Sequence, residues 1–529
     1  MSRIQLLDCT LRDGGYINDW NFGKNKISGI CSCLVEAGLD IIEVGFLTDL
    51  SHTEDLSLYS NCEEIRAVCP DKKNSLLAAM IALGEKEMNP QTLPSADESV
   101  LDIIRITFHR NEEEISRAFS YAEQLMEKNY KVCMQPVGTT SYTDKQLIEL
   151  IEKINVLKPF AFYLVDTLGI LCREELLRFI YLIDYNLVAG IKIGFHSHNN
   201  LQMSFANAQQ IIEYHSKRDF LIDCSIYGMG RGAGNLCTEL ITQYMNSIEM
   251  SKYKMVSILE SLDNYVYPIF AVLPWGYSPH HYIAAIHRCH PNYASYLINK
   301  QTLTMNQVDH LLKNIPIEER YIFNNGLIQK LYYSFQNKPV NDREAINLLA
   351  EEFSGKEILV LAPGYSIRKC FDEIKQYIED FKPVVISING CYSGYISDYI
   401  FISNQKRLYE LDTENIHAKL ILTSNLSYAG SNACYVDYSG LCGTFCSEAD
   451  NSGLMILRLL KQLGMTNVTI AGYDGFDEDV KMNYCSSGWI NSATTENVKN
   501  KNKVISVQLK EIMKTLDIIF LTPSKYLEI

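Results

Sequence analysis

Eight short apolar runs alternate with amphipathic stretches over roughly the first 245 residues, a rhythm that few folds can absorb. The runs are Ile4–Cys9, Ile41–Phe46, Leu76–Ala82, Ile103–Phe108, Lys131–Val137, Ala161–Asp166, Ile191–His196 and Leu221–Ile226. Their β-branched, nearly continuous hydrophobicity predicts strands buried on both faces. Between them, residues 24–37, 112–128 and 144–157 carry helical periodicity, and Thr143 supplies a start signal for the last. Eight strands interleaved with helices is the arithmetic of a (β/α)8 TIM barrel. A doubly wound open sheet is the structural alternative.

The chain of 529 residues is too long for one ordinary domain. With 47% hydrophobic and 21% charged residues it has the material for sizeable cores. The net charge of −15 argues against a broad nucleic-acid surface, yet leaves room for a local cationic pocket. No apolar run reaches the roughly 18 residues of a membrane span. The N-terminus enters a strand directly, without a signal-peptide core, and the sixteen cysteines are scattered through apolar runs, as at Cys133, Cys224 and Cys370. The expectation is a cytoplasmic protein with reduced, buried thiols. Cys31-Ser32-Cys33 sits in a helical pattern and reads as packing rather than as a ligand pair.

After the barrel region (1–250), residues 251–350 are rich in Tyr, His, Leu and Lys, and Pro268, Pro274, Pro279 and Pro291 break the early part into short helices. This predicts a helical extension, either a cover for the barrel mouth or a homo-oligomer interface. A new α/β pattern fills 355–529. Strands are expected at 356–361, 384–388, 399–402, 420–423 and 468–471, with a helix over 452–463, giving a second, Rossmann-like α/β domain.

Barrel enzymes place their chemistry at the C-terminal ends of the strands. Arg12 and Asp13 follow the first strand, Glu43 lies in the second, Asp166-Thr167 ends the sixth, His196 and His198 end the seventh, and Asn235 follows the eighth. Residues two apart on a strand face the same side, so both histidines can point into one mouth. Asp13, His196 and His198, with Asn235 as a neutral carbonyl, make a candidate divalent-metal site. That donor set suits Mn2+ first, with Mg2+, Co2+ or Zn2+ as alternatives. Arg12 beside it offers a donor fork to a carboxylate-bearing substrate.

The segments Asp8–Gly15, Gly194–Asn199 and Gly228–Asn235 resemble the HMG-CoA-lyase-like superfamily of metal-dependent barrels over about residues 3–250. The glycine-rich segment 228–239 is most like the 4-hydroxy-2-oxovalerate aldolase branch. The resemblance implies a 2-oxo acid substrate, pyruvate or its enolate, and carbon–carbon bond cleavage or formation. It implies Asp13, His196 and His198 as metal ligands, with Asn235 as a fourth ligand or close by. Arg12 would stabilise the enolate oxygen, and Glu43 would either orient Arg12 or be an ordinary strand carboxylate. The glycines would bring Asn235 to the metal rather than cradle a phosphate. Tyr16 departs from the aldolase pattern, which has a general-base histidine there; a phenol with its ordinary pKa near 10 needs help to act as a base. The substrate therefore stays open, with Claisen-type condensation with an acyl-CoA, or a non-catalytic scaffold, as other readings. Tyr277 and Tyr282 read as core or surface aromatics.

In the second domain, Ala362-Pro363-Gly364-Tyr365-Ser366 between strand and helix is geometry that can meet a phosphate. With Asn389 and Asp474 at later strand ends, the series loosely resembles sialyltransferase-like and motility-accessory glycosyltransferase domains. That resemblance implies a nucleotide sugar near Gly364, Ser366, Asn389 and Asp474. A partner-binding α/β domain is the alternative.

Overall fold

Strands with no polar face to spare close the first alternation into a ring. The computed structural model describes residues 3–69, 71–250, 252–412, 416–443, 450–485 and 495–528. They form two units, one of Met1–Ser295 and Ile315–Phe323, the other of Tyr296–Asn314 and Asn324–Ile529. The stretch 251–350, expected to be a single helical extension, is thus divided between them.

In the first unit the strands are β1 (Ile4–Asp8), β2 (Ile41–Leu47), β3 (Leu58–Tyr59), β4 (Leu76–Ala82), β5 (Ile103–Phe108), β6 (Lys131–Pro136), β7 (Ala161–Asp166), β8 (Lys192–Ser197) and β9 (Phe220–Cys224). All pairings are parallel, and β1 pairs with both β2 and β9, so eight strands close a barrel while β3 merely extends the end of β2. The open-sheet alternative is excluded by that closure. Leu7, Ile41, Ala78, Ile103, Cys133, Ala161 and Leu221 belong to one core cluster. Their neighbours Leu6, Ile42, Ala79, Ile104, Val132, Phe162 and Ile222 join the larger core shared with the helices. That alternation is why the strands read as unbroken apolar runs. Gly194 stands opposite Tyr163 in the register, and a Cβ there would lie 2.3 Å from the tyrosine ring, so the missing side chain makes room for it.

A fully buried cation lies inside this barrel. Arg105, fully buried in β5, donates from Nη1 to Glu43 Oε2 at 2.7 Å and from Nη2 to Asp223. Its guanidinium lies 4.8 Å from the Tyr163 ring centroid, and the Tyr163 hydroxyl donates to the other Asp223 oxygen at 3.1 Å. The charge persists there because two carboxylates are buried with it.

Element ends depart from expectation where polar groups intervene. Asp8 accepts from the backbone N–H of Thr10 at 2.9 Å, turning the chain at once into a short helix, Thr10–Asp13. β9 ends at Cys224, two residues early, and Ile226–Gly228 forms a 3-10 turn. Cys31 is buried under its helix beside half-buried Cys33, and the described cysteines are all free thiols. Tyr277 and Tyr282 are exposed aromatics. Among the described residues no helix is long and apolar enough to cross a membrane.

The second unit is built on a seven-stranded parallel sheet: β10 (Ile358–Leu361), β11 (Val384–Ile388), β12 (Tyr399–Ile402), β13 (Lys419–Thr423), β14 (Ala433–Val436), β15 (Asn467–Ala471) and β16 (Asp517–Phe520). Its order is β14-β13-β12-β11-β10-β15-β16, so the winding reverses between β10 and β15. The helix Ser452–Gln462 is buried almost all round, which fits its continuous apolar sequence. β14 and β16 went unrecognised in the sequence; both are four-residue edge strands, too short to show a period.

Replacing Arg105 by Met strands two buried carboxylates and is expected to cost about 3–5 kcal/mol of unfolding free energy. Urea unfolding reads the loss; a decrease under about 1 kcal/mol, the scale of a surface pair, overturns this account.

Candidate functional site

The short helix after β1 turns Arg12 and Asp13 into the barrel, where both are buried. Arg12 Nε donates to Glu43 Oε2 at 2.9 Å and Nη1 donates to Asp13, while Nη2 is buried without a partner. Glu43 therefore accepts from two arginines through one oxygen. Burial alone would push the Asp13 carboxyl up, but Arg12, His198 and His196 outweigh it and hold Asp13 well below the usual carboxylate range. Burial keeps the Arg12 guanidinium from gaining anything on its own; Glu43 and Asp13 fix it in the charged form.

His196, at the end of β8, has Nδ1 3.0 Å from Asp223 Oδ2. A carboxylate there accepts the Nδ1 proton and leaves Nε2 with its lone pair free. His198 lies just past β8, bridged to Asn235, with its ring edge-on to His196 at 5.2 Å. Burial, reinforced by Arg231, His196 and Arg12 against the pull of Asp13, lowers the His198 pKa to about 3. Asn235 donates its amide to Asp13 Oδ2 at 2.7 Å. Gly230 is what lets that loop approach, since a Cβ there would lie 2.4 Å from the Asn235 amide nitrogen and 2.7 Å from Asp13 Oδ2.

Candidate ligand atoms of Asp13, His196 and His198 lie within 4.8 Å of one another. His198 Nδ1 and Asn235 Oδ1 are buried without hydrogen-bond partners. Two stranded acceptors beside a carboxylate are costly in an empty site and fit a divalent cation. Cys9, His196 and Asp223 are equally close together. That set is spoken for: Asp223 is held by Arg105, Tyr163 and His196, and the Cys9 thiol, raised well above its ordinary pKa by burial, donates to the Cys224 carbonyl at 3.2 Å.

The cavity over this centre encloses about 610 Å3 of space, part of it open to solvent. Arg12, Asp13, His196 and His198 line it, joined by Tyr16, Glu85, His109, Gln135 and Arg231. Glu43 and Asn235 lie behind that lining. Tyr16 packs edge-on to Trp20 and donates to Glu85 Oε2 at 3.4 Å. Burial pushes the Tyr16 phenol up to about 12, against a small downward pull from Arg231. Four participants escaped the sequence reading: Arg105, Asp223, Glu85 and Arg231. The first two carried a visible signal, each being a lone charge in an otherwise apolar strand.

In the second unit, a cleft of about 550 Å3 opens where the winding reverses, lined by Gly364, Asn389 and Asp474 with Asn451, Ser452 and Gly453. A polar cleft of about 710 Å3 adjoins it through Asn389, Asn451 and Ser452 and adds Lys300, Arg407 and Lys501. Ser366 does not line either one. Both its donors go to Asp474, the N–H at 2.7 Å and the hydroxyl to the second oxygen, so they are not left for a phosphate. The helix that starts at Ser366 is only four residues long. Asn389 has φ of 63°, a strained left-handed conformation at the cleft wall.

Residues 3–265 match the sequence profile of the HMGL-like family. The 4-hydroxy-2-oxovalerate aldolase of Marinomonas sp. (strain MWYL1) is 26% identical over 271 residues, 49% of this chain and 77% of that protein. The enzyme of the same name from Geobacillus thermodenitrificans (strain NG80-2) is 27% identical over 280 residues, 51% and 77% of the two chains. That of Bacillus thuringiensis (strain Al Hakam) is 26% identical over 273 residues, 49% and 75%.

Tyr16 is expected to keep its proton through neutral pH. The difference in phenolate absorbance between wild type and Tyr16→Phe should be flat below about pH 10; a step near neutrality would show the phenol to be a base.

Proposed function

Since the barrel of this chain belongs to the HMGL-like family, we propose that it catalyses metal-dependent aldol cleavage or formation on a 4-hydroxy-2-oxo acid, with pyruvate as one fragment. The chain is an enzyme of the carbon–carbon lyase class. One observation carries the finer reading: the unpaired Arg12 Nη2 stands beside the stranded acceptors of His198 and Asn235, around one carboxylate. Asp13, His196 and His198 would hold the ion, with Asn235 close, and Mn2+ is the ion of choice for their mixed donors. When bound, a divalent ion supplies Lewis acidity towards the 2-oxo group.

The chain's own groups account for the rest. Arg12, clamped by Glu43 and Asp13, has its Nη2 left to meet the oxygen on which enolate charge develops. Asp223 fixes the His196 tautomer. Tyr16, protonated, serves as a donor, and the carboxylate it touches, Glu85, is the acceptor available for the 4-hydroxyl proton. This division of labour replaces the histidine base that the aldolase pattern has at Tyr16.

Purified protein should bind about one divalent ion per chain, and His196→Ala should lose it. Pyruvate α-proton exchange into D2O should depend on Mn2+ and fall about 10²–10³-fold in Arg12→Lys, which removes one stabilising donor geometry. Exchange that proceeds unchanged in that variant would sink the assignment.

For the second unit, the proposal is a nucleotide sugar in the double cleft, near Gly364, Asn389 and Asp474, with its phosphates towards Lys300, Arg407 and Lys501. Ser366 would act through Asp474. Calorimetric titration of the full chain with CMP and UDP should show saturable binding that weakens in Asn389→Asp. No heat with either nucleotide at about 1 mM would rule the reading out.

A further inference from the structure

We infer that Arg231 selects a reaction partner that carries its own anionic group, a carboxylate or a phosphate, on the fragment that joins or leaves the 2-oxo acid. The inference rests on the lyase reading of the same cavity. It starts from how the loop after β9 is fastened. Gly230 is pressed against Asn235 and Asp13, so no side chain fits there. Two residues on, Gly232 has φ of 72°, and a Cβ would lie 2.6 Å from Asn200 Oδ1, which itself accepts from Ala233 N at 2.8 Å. The backbone is thus pinned on both sides of Arg231, and the root of its side chain is fixed relative to the metal ligands.

The guanidinium lines the cavity and lies 5.5 Å from the Tyr16 ring centroid, on the ring that carries the donor to Glu85. The buried arginines of the barrel each have two carboxylate partners: Arg12 has Asp13 and Glu43, with only its Nη2 left over, and Arg105 has Glu43 and Asp223. Among the described residues no carboxylate comes within ion-pair distance of Arg231, although Glu85 lines the same cavity. A preorganised guanidinium fork in a cavity, supported by a ring face and lacking an internal counter-ion, is a receptor for a carboxylate or phosphate brought by the ligand. Arg12 and the metal ligands already serve the 2-oxo acid end. Arg231, seated against the Tyr16 ring and without a carboxylate partner, is left to the other fragment.

The test uses the full-length chain with Mn2+ and pyruvate, and three aldehydes: propanal, succinic semialdehyde and glyceraldehyde 3-phosphate. The wild type should prefer at least one anionic aldehyde over propanal by about tenfold or more in kcat/KM, and the better of the two tells carboxylate from phosphate. In Arg231→Gln that preference should collapse towards unity, with the loss in the aldehyde KM, and Arg231→Lys should restore part of it. Pyruvate exchange, which needs no aldehyde, should fall by less than the anionic-aldehyde rate. Equal use of neutral and anionic aldehydes by the wild type overturns the inference. So does a rise in the pyruvate KM for exchange in Arg231→Gln as large as that for the aldehyde, which would assign Arg231 to the 2-oxo acid's own carboxylate. A wild type that binds no metal and exchanges no pyruvate protons fails one step earlier, on the lyase reading itself.

Discussion

Everything at the mouth of the barrel is referred back to one buried cation. Arg105 ties Glu43 on β2 to Asp223 on β9 across the interior, and each of those carboxylates then holds a residue of the site. Glu43 grips Arg12; Asp223 grips His196. Arg12 and His196 are therefore positioned by the same guanidinium, though neither touches it. A barrel interior filled with apolar side chains would be more forgiving. Here the charged layer gives the strands a fixed electrostatic register directly beneath the ligands.

Above that layer the arginines have different dispositions. Arg12 is held at Nε and Nη1 and keeps only Nη2 in reserve, whereas Arg231 stands at the cavity wall with an aromatic face for company. The first geometry suits an oxygen whose charge appears only during reaction. The second suits a charge that arrives with the ligand. Tyr16, between them, belongs to neither set, and its raised pKa keeps it a donor.

The barrel was legible because its strands bury both faces and so cannot hide among amphipathic patterns; Leu76–Ala82 and Ile103–Phe108 carry the same bounds in sequence and structure. Asp13, His196, His198 and Asn235 were legible as strand-end polar residues, and the structure gathers them. What resisted reading depends on pairing at long range. Arg105 and Asp223 are 118 residues apart, and no local period announces that one neutralises the other. Arg231 sits in a glycine-rich loop with no local signal, and only the fold shows that no carboxylate among the described residues pairs with it. In the second unit Ser366 read well as a phosphate contact, and only the approach of Asp474, 108 residues later, shows where its donors go.

That same pairing changes what the second unit's crevice is. In an open α/β sheet the loops at a winding reversal splay apart, and ligands enter between them. Here the seam is stitched: Gly364 N donates to Gly472 O at 2.8 Å, Asp474 clasps Ser366, and a Cβ on Gly364 would collide with Gly472 O at 2.4 Å. The crevice consequently has a floor of joined backbone rather than a slot. Asn389, Asn451 and Ser452 stand as a wall over that floor, so the two strands that define the reversal form a hearth and not jaws.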